Sequence, residues 1–293
     1  MNDMKTCPWC GNPTEKSYIR LKDYFLSQED FEVFECEHCH LLFTDPRPTP
    51  DKIGAYYQSD EYYSHQQNNQ GLIPRIYEFV KSFNVKRKVN LALTHLPQGK
   101  LLDIGCGVGD FLLQVKHNGW TVAGIEPSDD AKNIAQQRLG FRPMDPSESA
   151  NLEDGSFDVI TLWHVLEHID DLKSQISELS RLLKPGGRLV IALPNFQSFD
   201  SQYYKDKWAA WDVPRHLNHF SQDTLRSILV DSGFQYFDTQ KLVWDAYYIS
   251  YLSEKYEHHS LPLLRGFWTG LKSNCKARRT GMYSSLVYRF TKP

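Results

Sequence analysis

Three glycines stand between two acidic residues in the segment LLDIGCGVGDFLLQVKHNGWTVAGIE (101–126), and this pattern suits an adenosine-containing cofactor. Gly105, Gly107 and Gly109 follow an apolar run, and a strand turns sharply into a helix against a ligand only where side chains are absent. Asp103 precedes the glycines. Glu126 ends the next apolar run, where it is placed to accept hydrogen bonds from two ribose hydroxyls. We predict strand, turn, helix, strand and acid, the order with which an α/β sheet holds adenosine.

The spacing of these glycines favours S-adenosylmethionine over a dinucleotide. Dinucleotide sites use G-x-G-x-x-G, because a pyrophosphate must rest on the helix N-terminus. Asp110 stands where the third dinucleotide glycine would fall, and an acid there repels a pyrophosphate. S-adenosylmethionine has no phosphate, its sulfonium is positive, and Asp103 suits its cationic amino-acid tail. We therefore predict this cofactor, with Asp145 as the partner of the adenine amino group. An ordinary glycine turn in a βαβ unit is the alternative.

Four cysteines near the N-terminus predict a structural zinc site. They form two C-x-x-C pairs, Cys7 with Cys10 and Cys36 with Cys39. Each pair places two thiolates on one side of a tight turn, and two pairs complete a tetrahedral site. Four ligands leave no open position, so zinc there is expected to be structural. Four unrelated thiols or one redox C-x-x-C are the alternatives, and His38 or His40 could substitute for a cysteine.

The segment His164-Val-Leu-Glu167-His168 follows an apolar run that we predict to be a strand. It matches H-x-x-E-H, the inverted zinc-protease signature, but that motif requires a helix presenting both histidines on one face. Directly after a strand, the segment is expected to be a loop at the carboxyl end of the sheet, where α/β folds bind ligands. We predict that His164 contacts the cofactor. Glu167 or His168 is either a base or an organiser of the loop, and we favour the organising role.

His216 is the candidate general base. Pro214 bends the chain before it and Ser221 begins a helix after it, so its position is fixed, as a general base requires. A neutral imidazole takes a proton from an acceptor hydroxyl as the methyl group transfers. A structural histidine bonded to backbone is the alternative. Further residues expected to line the same pocket are Tyr62, Tyr63 and His65.

The elements that must position these residues form an α/β fold with a Rossmann-like sheet. We predict strands at 99–104, 120–126, 141–144, 157–163, 188–193, 234–244 and 285–291, and a helix over 72–96. A zinc ribbon is expected over 1–45, a linker with capping helices over 46–96, and a cofactor-binding domain over 97–293. An aromatic insertion around 245–282 is longer than a hairpin needs, so we expect a lid over the acceptor or a dimer surface.

From about Leu101 to Phe220, the chain resembles the class I S-adenosylmethionine-dependent methyltransferases. FDVITLWHVLEHIDD (157–171) is similar to that family's fourth strand and following loop, and LLKPGGRLVIALPN (182–195) to its helix, turn and fifth strand. The resemblance implies a seven-stranded sheet of order 3-2-1-4-5-7-6, with the last strand antiparallel.

The segment around His216 resembles sugar C-methyltransferases and related polysaccharide-biosynthesis methyltransferases, several of which carry an N-terminal zinc ribbon. In those enzymes a Glu-His pair serves the active site. His216 matches the histidine, whereas Arg215 stands at the glutamate position. We therefore predict methyl transfer to a small polar acceptor, such as a sugar or polysaccharide precursor, and favour O-methylation over C-methylation.

Charge and composition limit the partners. The net charge of −3 hides an acid-free stretch from His258 onward with seven basic residues, which indicates either a solvated face or a lid for an anionic or phosphorylated acceptor. The acidic remainder disfavours nucleic acid. A ribbon-guided RNA or DNA methyltransferase and a non-catalytic interaction protein are the alternatives. With no apolar run near membrane length and no signal peptide, we expect a cytoplasmic enzyme, with a homodimer left open.

Overall fold

The computed structural model describes residues 4–49, 51–57 and 72–293, and residues 4–45 contribute strands to two small antiparallel sheets. The strands are β1 (Lys5–Thr6), β2 (Pro13–Thr14), β3 (Ser17–Lys22), β4 (Asp30–Glu35) and β5 (Leu42–Asp45). β1 pairs with β2, and β4 lies between β3 and β5 in the second sheet. We call residues 4–45 the cysteine-rich segment.

Apolar strands and helices then alternate along the chain and build a larger sheet. In order they are α1 (Leu72–Leu93), β6 (Lys100–Ile104), α2 (Asp110–His117), β7 (Thr121–Ile125), α3 (Asp129–Leu139), β8 (Phe157–Trp163), α4 (Leu172–Leu182), β9 (Leu183–Pro194), α5 (Phe199–Tyr204), β10 (Asn218–His219), α6 (Gln222–Asp231), β11 (Gln235–Leu242), α7 (Asp245–Tyr256), α8 (Pro262–Thr280) and β12 (Ser285–Thr291). The strand order is β11-β12-β9-β8-β6-β7. β7, β6, β8 and β9 run parallel, and β12 is antiparallel to both neighbours.

The predicted α/β class with a Rossmann-like, mostly parallel sheet is confirmed, but the predicted strand at 141–144 is wrong. Only Met144 of that segment bridges to Ile125 at the edge of β7, so the sheet has six strands within the described residues. Pro143 and Pro146 flank Met144, and proline donates no ladder hydrogen bond, which prevents a longer strand. The bridge still has a consequence, because the Met144 carbonyl accepts the Glu126 N–H at 3.0 Å.

The predicted insertion around 245–282 folds into the helical hairpin α7–α8. Gly266 and Gly270 allow the close approach of the two helices, since a Cβ at Gly266 would lie 2.6 Å from the Tyr251 Cα. The outer surface of the hairpin carries exposed apolar side chains, namely Tyr248, Leu263, Leu264, Phe267 and Trp268. Its role as a lid or a dimer surface stays a prediction. Within the described residues, no helix combines the length and apolar character needed to cross a bilayer.

The acid-free C-terminal stretch is partly built into the fold. Arg265 pairs with Glu254 at 2.7 Å, and Arg289 pairs with Asp238 at 2.5 Å. Lys292 donates to two backbone carbonyls at the end of α4 and the start of β9. These three bases are therefore structural, which leaves Lys272, Lys276, Arg278 and Arg279 on α8 for the predicted contact with an anion.

The cysteine-rich segment is joined to the larger domain by strand pairing. β10 pairs antiparallel with β5 and extends the small sheet to β10-β5-β4-β3. Thr44 on β5 donates its hydroxyl to the His216 carbonyl at 2.7 Å. Arg47, in the predicted linker, donates to the Asn218 side chain at 2.7 Å and to the Asp170 carboxylate at 2.9 Å. The chain around His216 is thus held by the N-terminal region.

The four N-terminal cysteines converge on one point. Their sulfur atoms all lie within 4.8 Å of one another, with Cys7 and Cys39 at 3.6 Å and Cys10 and Cys36 at 3.4 Å. All six cysteines of the chain are unbridged. Zinc–sulfur bonds of about 2.3 Å in a tetrahedron separate the sulfurs by about 3.8 Å. The four thiols therefore fit a zinc ion, which would hold the two turns together.

We predict that Cys10→Ser removes the zinc held by the thiolates and lowers the thermal midpoint by at least about 3 °C, because a hydroxyl is a poor zinc ligand. Zinc content and thermal denaturation are the measurements. Cys275→Ser is the matched control, since Cys275 is an exposed thiol on α8. Equal zinc content in the two variants would contradict the assignment.

Candidate functional site

The loop after β6 has the left-handed backbone that its glycines predict. Gly105, Gly107 and Gly109 have φ of 71°, 53° and 82°. A Cβ at Gly105 would lie 2.4 Å from Val165, and a Cβ at Gly109 would lie 2.9 Å from Leu139. A Cβ at Gly107 would meet no atom within 4 Å, so this glycine borders open space. The outer glycines are needed for packing, whereas Gly107 leaves open space at the surface of the loop. The predicted contact of Gly107 with the cofactor stays a prediction.

Glu126 connects the glycine loop to the end of β7. One carboxylate oxygen accepts the Gly107 N–H at 2.8 Å, and the other accepts the Ser128 N–H at 2.9 Å. Each oxygen keeps a second lone pair, so the carboxylate still accepts two hydroxyl groups. The residue is therefore oriented for the ribose contact predicted from the sequence, which stays a prediction.

Asp103 is a buried acid whose charge is only partly compensated. It is 2% exposed, and one oxygen accepts the Thr161 hydroxyl at 2.6 Å. Burial raises the pKa of Asp103 to about 7, although the Thr161 hydrogen bond and the charge of Lys88 act in the opposite direction. A cation bound beside this carboxylate would favour its ionised form. The geometry therefore suits the positively charged tail of the predicted cofactor.

Asp145 lies next to the Met144 bridge and is already paired. Its carboxylate contacts the Lys132 ammonium, which also lies 3.1 Å from Asp129. Asp145 also begins a 3-10 turn, and its N–H donates to Glu148 at 2.7 Å. These contacts fix Asp145 beside the edge of β7. Its predicted contact with adenine stays a prediction.

His164 follows β8 and lies between two carboxylates. Its Nε2 is 3.1 Å from Asp245 at the start of α7, and its Nδ1 is 3.4 Å from Glu167. Burial alone would lower the pKa of His164, but the hydrogen bond to Asp245 and the nearby charge of Glu167 raise it to about 9. The ring is therefore an imidazolium at neutral pH. Both nitrogens face acids, so His164 positions those acids, and its predicted contact with the cofactor stays a prediction.

A second group of titratable side chains, which we call the acceptor cluster, consists of Glu167, His168 and His216. A carboxylate oxygen of Glu167 and one nitrogen of each histidine lie within 4.8 Å of one another. The two rings meet edge to face, with centroids 4.6 Å apart. As predicted, the H-x-x-E-H segment is not a regular helix, because Leu166–His168 is a single 3-10 turn between β8 and α4.

Backbone carbonyls orient both histidines of the acceptor cluster. His216 Nδ1 donates to the Ala210 carbonyl at 2.9 Å, and His168 Nδ1 donates to the Arg215 carbonyl at 2.9 Å. In the neutral rings each Nε2 therefore carries the free lone pair. Burial and the neighbouring His168 lower the pKa of His216 to about 4, so this imidazole is neutral at neutral pH. A neutral imidazole is the form that either accepts a proton or binds a metal.

Glu167 is 1% exposed, and neither of its carboxylate oxygens has a hydrogen-bond partner among the residues that the structure describes. The nearest cation, His164, lies too far for a good hydrogen bond at 3.4 Å. A cavity of about 10 Å³ lies beside Glu167, His216 and Asn218, which is close to the space one water needs. An unpartnered buried carboxylate marks a place where a ligand is expected.

Sequence reasoning missed the ion pairs that hold this loop. The Arg215 guanidinium lies 2.7 Å from Asp212 and 3.0 Å from Asp23 of the cysteine-rich segment, and Arg215 is buried. Asp212 is the third residue before Arg215, so that pair was open to prediction from spacing. Asp23 is 192 residues away, and no local signal indicates it.

Tyr57 contacts the acceptor cluster, since its hydroxyl lies 3.0 Å from His168 Nδ1. The predicted pocket residues, Tyr62, Tyr63 and His65, lie outside the described residues.

A family model described as a methyltransferase domain matches residues 77–239, which is more than half of the chain. The chain is similar to a ubiquinone biosynthesis O-methyltransferase of Thiobacillus denitrificans, with 35% identity over 103 residues, 33% of this chain and 44% of that protein. It is also similar to a ubiquinone/menaquinone biosynthesis C-methyltransferase of Geotalea daltonii, with 28% identity over 49% of this chain and 73% of that protein. The chain thus spans less than half the length of the matched O-methyltransferase.

Solved structures share the fold at low identity. Geranyl diphosphate C-methyltransferase of Streptomyces coelicolor A3(2) superposes with a TM-score of 0.54 and 17% identity, over 78% of this chain and 88% of that chain. Phosphoethanolamine N-methyltransferase 2 of Haemonchus contortus, solved with S-adenosylmethionine, superposes with a TM-score of 0.53 and 17% identity, over 94% and 71%. The [4+2]-cyclase SpnF superposes with a TM-score of 0.56 and 19% identity, over 84% and 97%. One fold thus supports several reactions.

The substitution Gly107→Ala tests whether the glycine loop borders the cofactor, and Gly140→Ala is the matched control. Both glycines have positive φ, 53° and 79°, and both border open space, so each substitution is expected to lower the free energy of unfolding by about 1 kcal/mol. Gly140 ends α3, away from the glycine loop. We predict that only Gly107→Ala weakens S-adenosylmethionine binding, by at least about tenfold. Calorimetry measures the affinities, and equal affinities would show that Gly107 does not border the cofactor.

Proposed function

The chain belongs to the methyltransferase-domain family, as an S-adenosylmethionine-dependent methyltransferase, and we propose that its acceptor is a small polar molecule whose hydroxyl binds at the acceptor cluster. One observation carries the proposal. The glycine loop follows β6, and the acceptor cluster contains Glu167, four residues after the end of the neighbouring parallel strand β8, so both lie at the carboxyl edge of the sheet.

In the cofactor half of the site, three acidic side chains are assigned to the positively charged or hydrogen-bond-donating groups of S-adenosylmethionine. Asp103 receives the cationic amino-acid tail, Glu126 receives the ribose hydroxyls, and Asp145 receives the adenine amino group. Gly107 leaves the space through which the adenosine approaches the loop. A sulfonium is already a strong electrophile, so the protein has to supply alignment and a place for the acceptor's proton.

The acceptor cluster supplies the group that takes the acceptor's proton. The hydroxyl oxygen attacks the methyl carbon while the carbon–sulfur bond breaks and sulfur keeps the electron pair, which leaves S-adenosylhomocysteine. The hydroxyl proton passes to His216 Nε2, whose ring is held by the Ala210 carbonyl. The imidazolium so formed lies 3.9 Å from Asp212, and Glu167 is also near enough to stabilise it. His168 orients the cluster.

The acceptor class rests on the chemistry of the cluster. A neutral imidazole suits a hydroxyl, which supports O-methylation over C-methylation. A sugar or polysaccharide precursor rests on the resemblance around His216, whereas the relatives are named for quinone biosynthesis and geranyl diphosphate. We therefore propose a hydroxyl-bearing small molecule as the class, with sugar precursors as its first members to test. Unbridged thiols suit a reducing compartment, and we place the enzyme in the cytoplasm.

The affinity for S-adenosylmethionine is expected to rise with pH through Asp103. Its carboxyl group has a pKa of about 7, so it is mostly neutral at pH 6 and mostly ionised at pH 8, and only the ionised form attracts the cation. We predict a fall in Kd of about tenfold between these pH values. Asp103→Asn should bind weakly with no such dependence. Asp110→Asn, at the same loop, should keep it. A flat profile in the wild-type protein would overturn the role of Asp103.

A labelling experiment tests the reaction itself. We expect the full chain, given S-adenosylmethionine with a labelled methyl group and the small-molecule fraction of a cell extract, to form a labelled product. His216→Ala should lower the rate by about 100-fold or more, with cofactor affinity unchanged. His117→Ala, an exposed histidine on α2, is the control and should match the wild type. An unchanged rate in His216→Ala would remove the proposed base, and label in nucleic acid alone would replace the acceptor class.

A further inference from the structure

The acceptor cluster has the composition of a metal site, and we infer that Glu167, His168 and His216 bind a divalent transition-metal ion, separate from the ion held by the four cysteines. Zinc is the ion that this ligand set suits best, and the acceptor hydroxyl occupies an open position on it. The role of the ion in methyl transfer rests on the proposed function, whereas the binding of the ion is independent of that function.

The positions of the ligand atoms carry the first step. One carboxylate oxygen and two imidazole nitrogens lie within 4.8 Å of one another. Bonds of about 2.1 Å in a tetrahedron place two ligands of one zinc ion about 3.4 Å apart. Side-chain movements that shorten these separations by about 1.4 Å at most therefore bring all three ligand atoms onto one ion.

The hydrogen bonds behind the histidines carry the second step. Metal-binding histidines donate the other ring nitrogen to a carbonyl or a carboxylate, which fixes the tautomer and the ring. His216 and His168 both do so, to the carbonyls of Ala210 and Arg215. The Arg215 backbone is itself held, because its side chain pairs with Asp212 and Asp23. In both neutral rings Nε2 is therefore the nitrogen left to bind a cation.

Glu167 supplies an independent third step. Its side chain is buried, and both oxygens lack a hydrogen-bond partner among the described residues. A buried carboxylate is strongly disfavoured unless hydrogen bonds or a cation compensate it. His164 compensates only in part, since it is 3.4 Å away and closer to Asp245. A metal ion bonded to Glu167 would satisfy this carboxylate directly.

The ligand set indicates which ion binds and what it does. Two imidazoles and one carboxylate suit zinc or iron(II), whereas magnesium prefers oxygen ligands. Three protein ligands leave a position open, as in catalytic sites. A hydroxyl bound there loses its proton to water more readily, as metal-bound water does. The oxygen then attacks the methyl carbon and sulfur keeps the electron pair. His216 acts as a ligand with the ion bound, and as the proton acceptor without it.

The test counts metal ions on the full chain, with neither acceptor nor cofactor present. The protein is stripped with a chelator and titrated with cobalt(II), a spectroscopic substitute for zinc. We expect two ions per chain: one with intense thiolate-to-metal absorption, and one with only weak metal-centred bands. Glu167→Gln and His216→Ala should each lose the second ion alone. His117→Ala should bind two.

The stoichiometry of the wild-type protein decides the inference, even if a variant folds poorly. One ion per chain in the wild type, or two in both Glu167→Gln and His216→Ala, would overturn it. The experiments distinguish failure of the proposed function from failure of the metal site. Two bound ions without any labelled product would remove the proposed acceptor chemistry and leave the metal site. One ion with a labelled product that depends on His216 would leave His216 as the base.

Discussion

The buried guanidinium of Arg215 is the contact on which the acceptor half of the site depends. The side chain joins Asp212, in the same loop, to Asp23 in the cysteine-rich segment. The backbone carbonyl of Arg215 accepts the hydrogen bond that orients His168. Arginine stays charged at any physiological pH and offers several donors in a fixed plane, so it joins two acids with little freedom. One residue thereby fixes the loop, a histidine ring and the N-terminal region together.

Burial shifts the pKa values of Asp103 and His216, one in each half of the site, in opposite directions. It raises the pKa of Asp103 to about 7 and lowers that of His216 to about 4, because a low-dielectric interior disfavours the charged form of either group. The acid therefore gains from a bound cation, and the histidine is kept neutral. Between them, His164 remains charged because it lies between two carboxylates. Under the proposed function, this one cause suits Asp103 to a sulfonium-bearing cofactor and His216 to an acceptor hydroxyl.

Local sequence was sufficient for the glycine turn after β6 and for the two cysteine pairs, since these features lie within short spacings. The roles of the turn in cofactor binding and of the cysteines in zinc binding stay predictions. The predicted third strand failed because Pro143 and Pro146 limit the pairing to Met144. The pairing of β5 with β10 and the Asp23–Arg215 contact join positions far apart in sequence, and neither has a periodic pattern. The unpartnered state of Glu167 was equally unpredictable, since it depends on which groups surround a buried carboxylate in three dimensions.

The cysteine-rich segment contacts the loop that carries His216, and its acidic charge disfavours nucleic acid. Its strand β5 places Thr44, which donates to the His216 carbonyl and lies 3.0 Å from His219 Nε2. Its acids would repel phosphates, and Asp23, the acid buried among them, is used to hold Arg215. A metal ion on the four thiols would stabilise the turns of this small segment, which has little core of its own. The contacts from Thr44 and Asp23 therefore make the position of His216 depend on the cysteine-rich segment.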